Sequence, residues 1–335
     1  MRVIGLTLCL LAACQIAAAT ARAAEPLRFA TWNVHEGFTP EVIAGRKSDF
    51  QQVGQQLRPT ILVVQEVTSY EVVAAVRDAM GLKDYYVACS TFSGHGQVTD
   101  ASAADAQFRR LEVGIISKFP LSQVIEYDPS PDNDPTLGDV EELKLQPSLK
   151  LGIGKPRSDT RGFLWARIDE PRLTVVAVHL KSSRGASGEE DRTNSLAREF
   201  TAAAVAEGVL EDRALWPNYS CLVAGDFNVG HSDQRKNGHD LRHDAFDDSA
   251  FQAGIDPYDE THALLGGGLV GNLKMKNLVG HTTEGTFPGF PGTPIDNIYV
   301  TGPLEAHFSP AVILKDTFGS DHRPVVSEVS PSAKP

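Results

Sequence analysis

Several apolar runs in this 335-residue chain are followed directly by a side chain that a buried strand does not need. Burying an acid or an amide without a partner costs free energy, so a polar residue at the end of an apolar run is a candidate for chemistry. Six segments fit this description. In chain order they are TWNV at 31–34, QEV at 65–67, HLKS at 179–182, GDFN at 225–228, IDNI at 295–298 and SDHRPV at 320–325.

The first two segments offer oxygen donors. Asn33 carries an amide oxygen and Glu66 carries a carboxylate, and each lies at the end of an apolar run. Hard oxygen ligands of this kind suit magnesium, manganese or calcium and suit zinc poorly. The sequence therefore indicates a divalent cation, with Mg²⁺ or Mn²⁺ first and Ca²⁺ as an alternative.

The other four segments supply groups that can move protons or bind anions. His179 follows an apolar run, where a lone histidine is more often structural than catalytic. Asp226 and Asn228 stand two residues apart, so in an extended strand both would point to the same face. The set is completed near the end of the chain by Asp296, Asp321 and His322.

Each segment alone occurs by chance in many proteins, but their joint occurrence and order are specific. The series resembles the ordered motif set of the endonuclease/exonuclease/phosphatase superfamily, whose members include deoxyribonucleases, AP endonucleases, sphingomyelinases and inositol-phosphate phosphatases. The resemblance runs from about residue 28 to residue 326. It implies a divalent-metal-dependent hydrolase of phosphate esters, with Glu66 as principal metal ligand, Asn33 close to it and Asp321 as a further ligand.

The resemblance also implies catalytic roles. His322 would face the scissile phosphate while Asp296 orients its imidazole. Asp226 would orient or deprotonate the attacking water, and Asn228 and His179 would hydrogen-bond the non-bridging phosphate oxygens. Whether Asp226 or His322 is the general base stays open. Because charge develops on the phosphate oxygens during attack, a cation and fixed donors should each matter by orders of magnitude.

Two charged residues outside the six segments carry secondary expectations. Arg161 precedes an apolar strand and is expected to form a salt bridge. Glu112 is a candidate to support His179, as an acid does in the pancreatic-type deoxyribonucleases that the chain resembles.

The substrate class is open. A phosphodiester of nucleic acid is the leading expectation, cleaved by an endonuclease or an exonuclease, and phosphomonoesters or phospholipid head groups come second. A non-catalytic binding protein on the same scaffold is a remote alternative. No tyrosine stands near Arg110, where AP endonucleases usually carry one, and SDHR at 320–323 replaces the C-D-R ending of inositol-polyphosphate 5-phosphatases. The formal charge of −12 gives no support to a broad nucleic-acid surface.

Strands and helices must bring the six segments together. Apolar runs predict strands at 27–34, 61–67, 113–119, 163–168, 173–180, 221–227 and 295–300. Helical spacing predicts helices around 50–57, from the N-cap Ser69 to Gly81, and along 196–210. This interleaving agrees with the fold that the resemblance implies. That fold is an α+β, two-sheet β-sandwich flanked by helices, a four-layer α/β sandwich with its active site at the strand ends.

Three stretches rich in Gly, Pro, Asp and Ser predict surface excursions at 93–109, 128–160 and 230–294. Part of the third should fold, because it contains an apolar patch at 263–270. We therefore expect one catalytic domain over residues 24–330, acting as a monomer, with substrate specificity in the excursions.

The N-terminus predicts export. Arg2 precedes an apolar run at 3–13 that is too short to span a bilayer, and small residues follow. Cleavage after Ala23 would remove a signal peptide at 1–23 together with Arg2 and Arg22, so the charge would move from −12 to −14. The mature chain would have no transmembrane segment and would be periplasmic or secreted. The alternative is a lipoprotein anchored through Cys14.

The same cleavage would leave two cysteines, Cys89 and Cys221, in a compartment that permits disulfides. A bridge between them is one alternative. Two separate buried thiols are the favoured one.

Overall fold

Two β-sheets pack face to face with helices on both outer surfaces. A computed structural model describes residues 26–92, 111–129, 139–143, 160–182, 192–230, 259–289 and 292–330. The predicted signal peptide, Cys14 and the excursion at 93–109 lie outside these residues, as do most of the excursion at 128–160 and residues 231–258 and 290–291 of the third excursion.

The first sheet has the strand order β12-β13-β1-β2-β4-β3. Its strands are β1 Leu27–Gly37, β2 Ile61–Val67, β3 Tyr86–Cys89, β4 Glu112–Ser117, β12 Val312–Ile313 and β13 Val325–Val329. The central pair β1 and β2 is parallel, and the remaining pairs are antiparallel. Since parallel neighbours end at the same edge, the side chains that follow β1 and β2 lie together.

The second sheet has the order β10-β11-β9-β8-β7-β5-β6. Its strands are β5 Gln123–Asp128, β6 Asp139–Glu142, β7 Phe163–Ile168, β8 Leu173–His179, β9 Ser220–Asp226, β10 Lys276–Asn277 and β11 Asp296–Thr301. Here β8 and β9 are the parallel central pair, and β11 runs antiparallel to β9. The end of β9 and the start of β11 therefore meet at one edge.

Alternating side chains of the central strands enter different cores. Ile61 and Val63 of β2 lie between the sheets in one cluster with Val175 of β8. Leu62 and Val64 face outward beneath helices. Burial on both faces explains why these strands read as continuous apolar runs.

The helices cover the outer faces and complete four layers. On the first sheet lie α1 Pro40–Gly45, α2 Lys47–Leu57 and α3 Tyr70–Ala79. On the second lie α4 Arg192–Leu215 and α5 Thr261–Gly266. Thr39 and Ser69 cap α1 and α3 by accepting from Val42 N and Val72 N, which satisfies backbone donors that a helix start leaves free. The predicted α+β sandwich is confirmed.

Most predicted elements are present. The seven predicted strands correspond to β1, β2, β4, β7, β8, β9 and β11, and the three predicted helices to α2, α3 and α4. Six strands were not predicted, namely β3, β5, β6, β10, β12 and β13, and neither was the helix α1. The patch at 263–270 does fold, with Leu264, Leu265 and Val270 buried. Cys89 and Cys221 are separate buried thiols, as favoured.

Within the described residues, no helix combines the length and the apolar character that a membrane crossing requires.

Gly225 marks a close approach between β8 and β9. Its φ of 149° is unfavourable for residues with a side chain, and a Cβ there would lie 1.8 Å from the carbonyl oxygen of Val178. Any side chain would push the two strands apart directly beside Asp226. The glycine therefore lets the end of β9 keep its register with β8.

We expect Gly225→Ala to lower the free energy of unfolding by roughly 2–4 kcal/mol, because the backbone must shift to relieve the clash. Gly45→Ala is the matched control, since a Cβ at Gly45 meets nothing within 4 Å. It should change stability by less than about 1 kcal/mol. Urea denaturation measures both, and equal stability of the two variants would contradict the close approach.

Candidate active site

All the predicted site residues lie in the described part of the chain, at one end of both sheets. Asn33 and Glu66 stand near the ends of β1 and β2. His179 and Asp226 end β8 and β9 and pair in register, and Asp226 also pairs with Asp296 at the start of β11. The remaining three follow β9 or precede β13, namely Asn228, Asp321 and His322.

Asn33 connects the two sheets. Its amide nitrogen donates to Glu66 Oε1 at 3.1 Å and to Asp226 Oδ2 at 3.2 Å. Its amide oxygen accepts from the backbone N–H of His35 at 3.0 Å. The oxygen predicted to face a metal thus already accepts a hydrogen bond, while the nitrogen faces the two carboxylates. In this geometry Asn33 holds two carboxylates in position.

Glu66 leaves the regular ladder. The registers of β2 with both β1 and β4 shift at this residue, which is a bulge, and its φ is 60°. A bulge re-aims a side chain that would otherwise follow the strand alternation. Burial opposes ionisation of Glu66, but its interactions with His35 and Asn33 lower its pKa below the usual range. Glu66 is therefore ionised at neutral pH.

His322 is held between two carboxylates. Its Nδ1 lies 2.8 Å from Asp296 Oδ2, and its Nε2 lies 3.8 Å from Asp226 Oδ2. Burial alone would lower the pKa of His322, but the charges of Asp296 and Asp226 raise it to about 10. The imidazole is therefore a cation at neutral pH. The predicted pairing of Asp296 with His322 is present.

Three side chains hold the backbone around Asp296 and His322 in position. Trp32 Nε1 donates to the carbonyl oxygen of His322 at 3.1 Å. Ser320 Oγ donates to the carbonyl oxygen of Asn33 at 2.7 Å and accepts from His322 N–H at 3.0 Å. Thr286 Oγ1 accepts from the backbone N–H of Asp296 at 3.0 Å. The loop before β13 is thus tied to β1, and the backbone that carries His322 and Asp296 is held in place.

Asp226 and Asn228 are neighbours for a reason other than the one predicted. The strand ends at Asp226, and Asn228 has a φ of 55°, so the two residues are not parts of one extended strand. Instead Asn228 N–H donates to Asp226 Oδ1 at 2.8 Å, forming a turn closed by the aspartate side chain. The Asn228 amide nitrogen donates to the carbonyl oxygen of Leu180 at 3.0 Å. Burial raises the pKa of Asp226 well above its ordinary value.

His179 faces Asp226, with 3.6 Å between Nε2 and Oδ2. Burial and the charge of Arg161 lower its pKa well below the usual value, so the ring is neutral, and its buried Nδ1 has no hydrogen-bond partner. Glu112 does not support this ring, because that nitrogen is unpartnered. Glu112 accepts from Ser90 Oγ at 2.6 Å and from Phe92 N–H at 2.9 Å.

Arg161 corrects another expectation. Its guanidinium donates to the carbonyl oxygens of Leu180 at 3.1 Å and His179 at 3.4 Å, and it makes no ion pair with any residue that the structure describes. These contacts place a positive charge next to the loop after β8. The carboxylate charges that act on Arg161 are those of Asp226, Glu66 and Glu112.

Two groups of acidic and histidine side chains lie at this end of the sheets, and the inner one has the spacing of a metal site. In the inner group, Asp226, Asp296 and His322 place one ligand atom each within 4.8 Å of one another, all buried. The outer group consists of Glu66, Asp321 and His35. There Asp321 Oδ1 is a buried atom without a hydrogen-bond partner, and His35 Nδ1 lies 3.3 Å from it and 3.4 Å from Glu66 Oε2.

The outer group is the more exposed of the two, but its ligand atoms do not meet the spacing that the inner group meets. The side chains of His35, Glu66 and Asp321 are 33%, 19% and 41% exposed, so an ion could keep water ligands. Asp296 Oδ1 in the inner group also lacks a partner, but Asp296 is fully buried and its other oxygen already binds His322. His35 was missed from the sequence because it lies one residue beyond TWNV.

The family comparison covers most of the chain. The sequence model of the Endonuclease/Exonuclease/phosphatase family matches residues 30–322. None of the curated proteins compared with the chain matches it.

Solved structures of similar fold come from bacteria, among other sources. A conserved protein of unknown function from Enterococcus faecalis is 19% identical, with a TM-score of 0.53 over 91% of this chain and 99% of the other. A 3′-5′ exonuclease from Neisseria meningitidis is 18% identical, with a TM-score of 0.52 over 91% and 100%. A 3′ phosphatase from Neisseria, bound to product DNA hairpin, is 17% identical, with a TM-score of 0.51 over 91% and 99%.

At these identities the similar structures show the fold, and the family match over residues 30–322 carries the assignment. That match spans both sheets and includes five of the six segments and the start of the last, through His322. The chain belongs to the endonuclease/exonuclease/phosphatase family.

Proposed function

We propose that this protein is a divalent-metal-dependent hydrolase of phosphate esters, with a phosphodiester of nucleic acid as its substrate. Members of the family generally hydrolyse phosphoester bonds. The observation that carries the proposal is the constellation at the sheet ends, where Glu66, Asn33, Asp226, His322 and Asp296 form one connected series of contacts. Carboxylates packed this closely favour a cation, which a phosphate also requires.

Glu66 and Asp321 would hold the metal, with Asn33 keeping Glu66 in place. Both carboxylates carry oxygen donors, which suit Mg²⁺, Mn²⁺ or Ca²⁺. When bound, the cation would neutralise charge that develops on the phosphate oxygens. His322 Nε2 lies 3.9 Å from Asp321 Oδ1, so the imidazole borders the outer group.

Asp226 is proposed to orient and deprotonate the attacking water. It accepts from Asn33 and Asn228 on its two oxygens, so its carboxylate direction is fixed. Because burial raises its pKa, it is a stronger base than an exposed aspartate. His322 is already protonated through Asp296 and Asp226, so we assign it the role of a cation that faces the phosphate, not of the base.

The remaining donors are proposed to bind non-bridging oxygens. Neutral His179 can donate one ring N–H, and Asn228 keeps one amide hydrogen beyond the one given to Leu180. Arg161 adds a positive charge on the same side, anchored to the carbonyl oxygens after β8. Fixed donors of this kind stabilise charge without reorganising during the reaction.

Nucleic acid is favoured as the substrate because two similar structures are described as a 3′-5′ exonuclease and as a 3′ phosphatase with product DNA. Because one of these structures is described as a 3′ phosphatase, a phosphomonoester is the alternative substrate. The net charge of −12 opposes a long non-specific contact with a duplex, so we expect recognition of a few nucleotides near the site. Export through the signal peptide, with action as a monomer, stays part of the proposal.

Replacing Glu66 by Gln keeps the shape of the side chain and removes its charge. We expect the affinity for Mg²⁺ or Mn²⁺ to fall at least about tenfold. Turnover of bis-p-nitrophenyl phosphate should fall by about 10²-fold or more. Titration calorimetry and the hydrolysis assay measure the two effects.

The control is Glu328→Gln, which alters a partly exposed ion pair with Arg28 at the far end of β13. It should leave both quantities unchanged. Wild-type metal affinity in the Glu66 variant would contradict the role of Glu66.

Asp296→Asn should lower kcat by about 10²- to 10⁴-fold with little change in KM, because the imidazole loses the carboxylate that keeps it charged and oriented. Asp169→Asn is the matched control at the opposite end of the second sheet, where Asp169 accepts from Ser122 Oγ at 2.9 Å and Tyr219 O–H at 3.0 Å. Steady-state kinetics decide the matter. Similar kcat values for the two variants would refute the assigned pairing.

The substrate class is tested with purified protein, Mg²⁺, Mn²⁺ or EDTA, and a small panel. The panel contains plasmid DNA, RNA, a DNA oligonucleotide with a 3′-phosphate, p-nitrophenyl phosphate and sphingomyelin. Metal-dependent cleavage of DNA or RNA is the expected result. Release of phosphate alone would keep the proposed mechanism but make a phosphomonoester the substrate. Cleavage of sphingomyelin alone would keep the mechanism but make a phospholipid the substrate. The absence of turnover on every substrate would refute the proposed hydrolase.

A further inference from the structure

His262 is a buried histidine of α5, and none of the roles assigned above uses it. Only 2% of its surface is exposed, and its ring stacks on Phe227 with 5.5 Å between the centroids and an interplanar angle of 13°. Both ring nitrogens have partners. Nε2 lies 2.9 Å from the carbonyl oxygen of Val229, and Nδ1 lies 2.7 Å from Tyr299 Oη. The imidazole therefore connects β11 with the turn that follows β9.

The partners of the ring decide where its hydrogen lies. A carbonyl oxygen can only accept, so Nε2 must carry a hydrogen to bond Val229. Asn277 accepts two backbone N–H groups on its side-chain oxygen, so its amide nitrogen is the group that bonds the Tyr299 oxygen. The hydroxyl hydrogen of Tyr299 is then left to donate to Nδ1. A ring with its hydrogen on Nε2 satisfies both contacts of His262.

The turn after β9 needs to be held. Asn228 has a φ of 55°, which costs free energy at a residue other than glycine. On the upstream side, the backbone N–H of Phe227 donates to the carbonyl oxygen of Ile295 at 2.8 Å. On the downstream side, the carbonyl oxygen of Val229 accepts from His262. The strained residue is thus held by a hydrogen bond on each side, and His262 supplies the second one.

The direction of the Asp226 carboxylate depends on this turn. The backbone N–H of Asn228 donates to Asp226 Oδ1 at 2.8 Å, and the Asn228 side chain donates to the carbonyl oxygen of Leu180 at 3.0 Å. A shift of the turn would move both donors and would release the carboxylate oxygen. His262 is therefore coupled to Asp226 and Asn228 through the backbone.

We infer that His262 is a positioning residue of the hydrolase, whose Nε2–H holds the carbonyl oxygen of Val229 and so fixes the turn that carries Asp226 and Asn228. The inference rests on the proposed function, in which Asp226 acts on the attacking water and Asn228 binds a phosphate oxygen. Both groups work mainly in the transition state. Loss of the hydrogen bond should therefore lower kcat more than it raises KM.

The test compares two amide side chains at this position. His262→Gln can place an amide N–H where the Nε2–H of the ring now lies. The shorter side chain of His262→Asn reaches only the position of Nδ1. Both variants lose the imidazole and its stacking on Phe227, so they lose packing to a similar extent. The bond to Val229 is what distinguishes them.

Hydrogen exchange followed by NMR gives the first readout and needs no turnover. The backbone N–H of Asn228 should exchange about tenfold or more faster in His262→Asn than in the wild type, because the turn opens more readily. In His262→Gln its exchange should stay within about threefold of the wild type. Equal exchange in the two variants would overturn the inference. So would a wild-type ¹⁵N-histidine spectrum in which Nε2 of His262 carries no hydrogen.

Steady-state kinetics give the second readout. In His262→Asn, kcat for bis-p-nitrophenyl phosphate should fall by about 10- to 100-fold, with KM within about threefold of the wild type. In His262→Gln, kcat should recover to within about threefold. A purely structural role would not produce this difference, since the packing loss is shared.

Ser327→Ala is the matched control. Buried Ser327 of β13 donates its hydroxyl to the carbonyl oxygen of Ser309 at 2.6 Å, which is the same kind of contact between a side chain and a loop carbonyl. The variant should lose stability and keep its kcat. An equal loss of kcat in both amide variants, or a similar loss in Ser327→Ala, would show a general effect of lowered stability and would overturn the role of His262.

Two further outcomes separate this inference from the proposed function. Wild-type turnover with unchanged kcat in His262→Asn would overturn the positioning role alone. No turnover in the wild type, together with the expected difference in exchange, would overturn the proposed hydrolase and support the hold of His262 on the turn. If His262→Asn does not fold, His262→Leu replaces it, because leucine fills the space without burying an unpaired polar group.

Discussion

The architecture of the site depends on one electrostatic constraint, the convergence of carboxylates from both sheets at their common end. Glu66 comes from the first sheet, and Asp226 and Asp296 come from the second. Mutual repulsion of buried acids would separate the sheet edges unless fixed donors and positive charge offset it. The Asn33 amide between Glu66 and Asp226 and the His322 imidazole between Asp226 and Asp296 supply that compensation.

The sequence was sufficient to predict the strands that carry these residues. A strand such as Ile61–Val67 is buried on both faces, so its apolar run marks its position and length without knowledge of its neighbours. The edge strands Tyr86–Cys89 and Val312–Ile313 have no such pattern. They exist because a neighbouring strand offers hydrogen-bonding groups, and that information lies elsewhere in the chain.

The site was predictable in composition and less so in geometry. The polar residues at the strand ends were identified because their chemistry conflicts with their position in an apolar run. Four features of the geometry were not predicted, because each arises from contacts made after the sheets pair. They are the bulge at Glu66, the turn at Asn228, the orientation of the Asn33 amide and the placement of His35. Arg161 was misread for the same reason, since the carbonyl oxygens that it binds belong to a loop distant in sequence.

Positive φ values recur at the site, at His35, Glu36, Glu66 and Asn228. Each such residue costs on the order of 1–3 kcal/mol, which a short loop could not sustain. Here three of these residues lie within β1 and β2, and Asn228 comes shortly after β9, so the packing of the doubly buried strands offsets the strain. A site built this way holds its carboxylates rigidly before any ligand arrives. Adaptation to different phosphate esters must then come from the segments outside the sheets, which can vary without disturbing the strained residues.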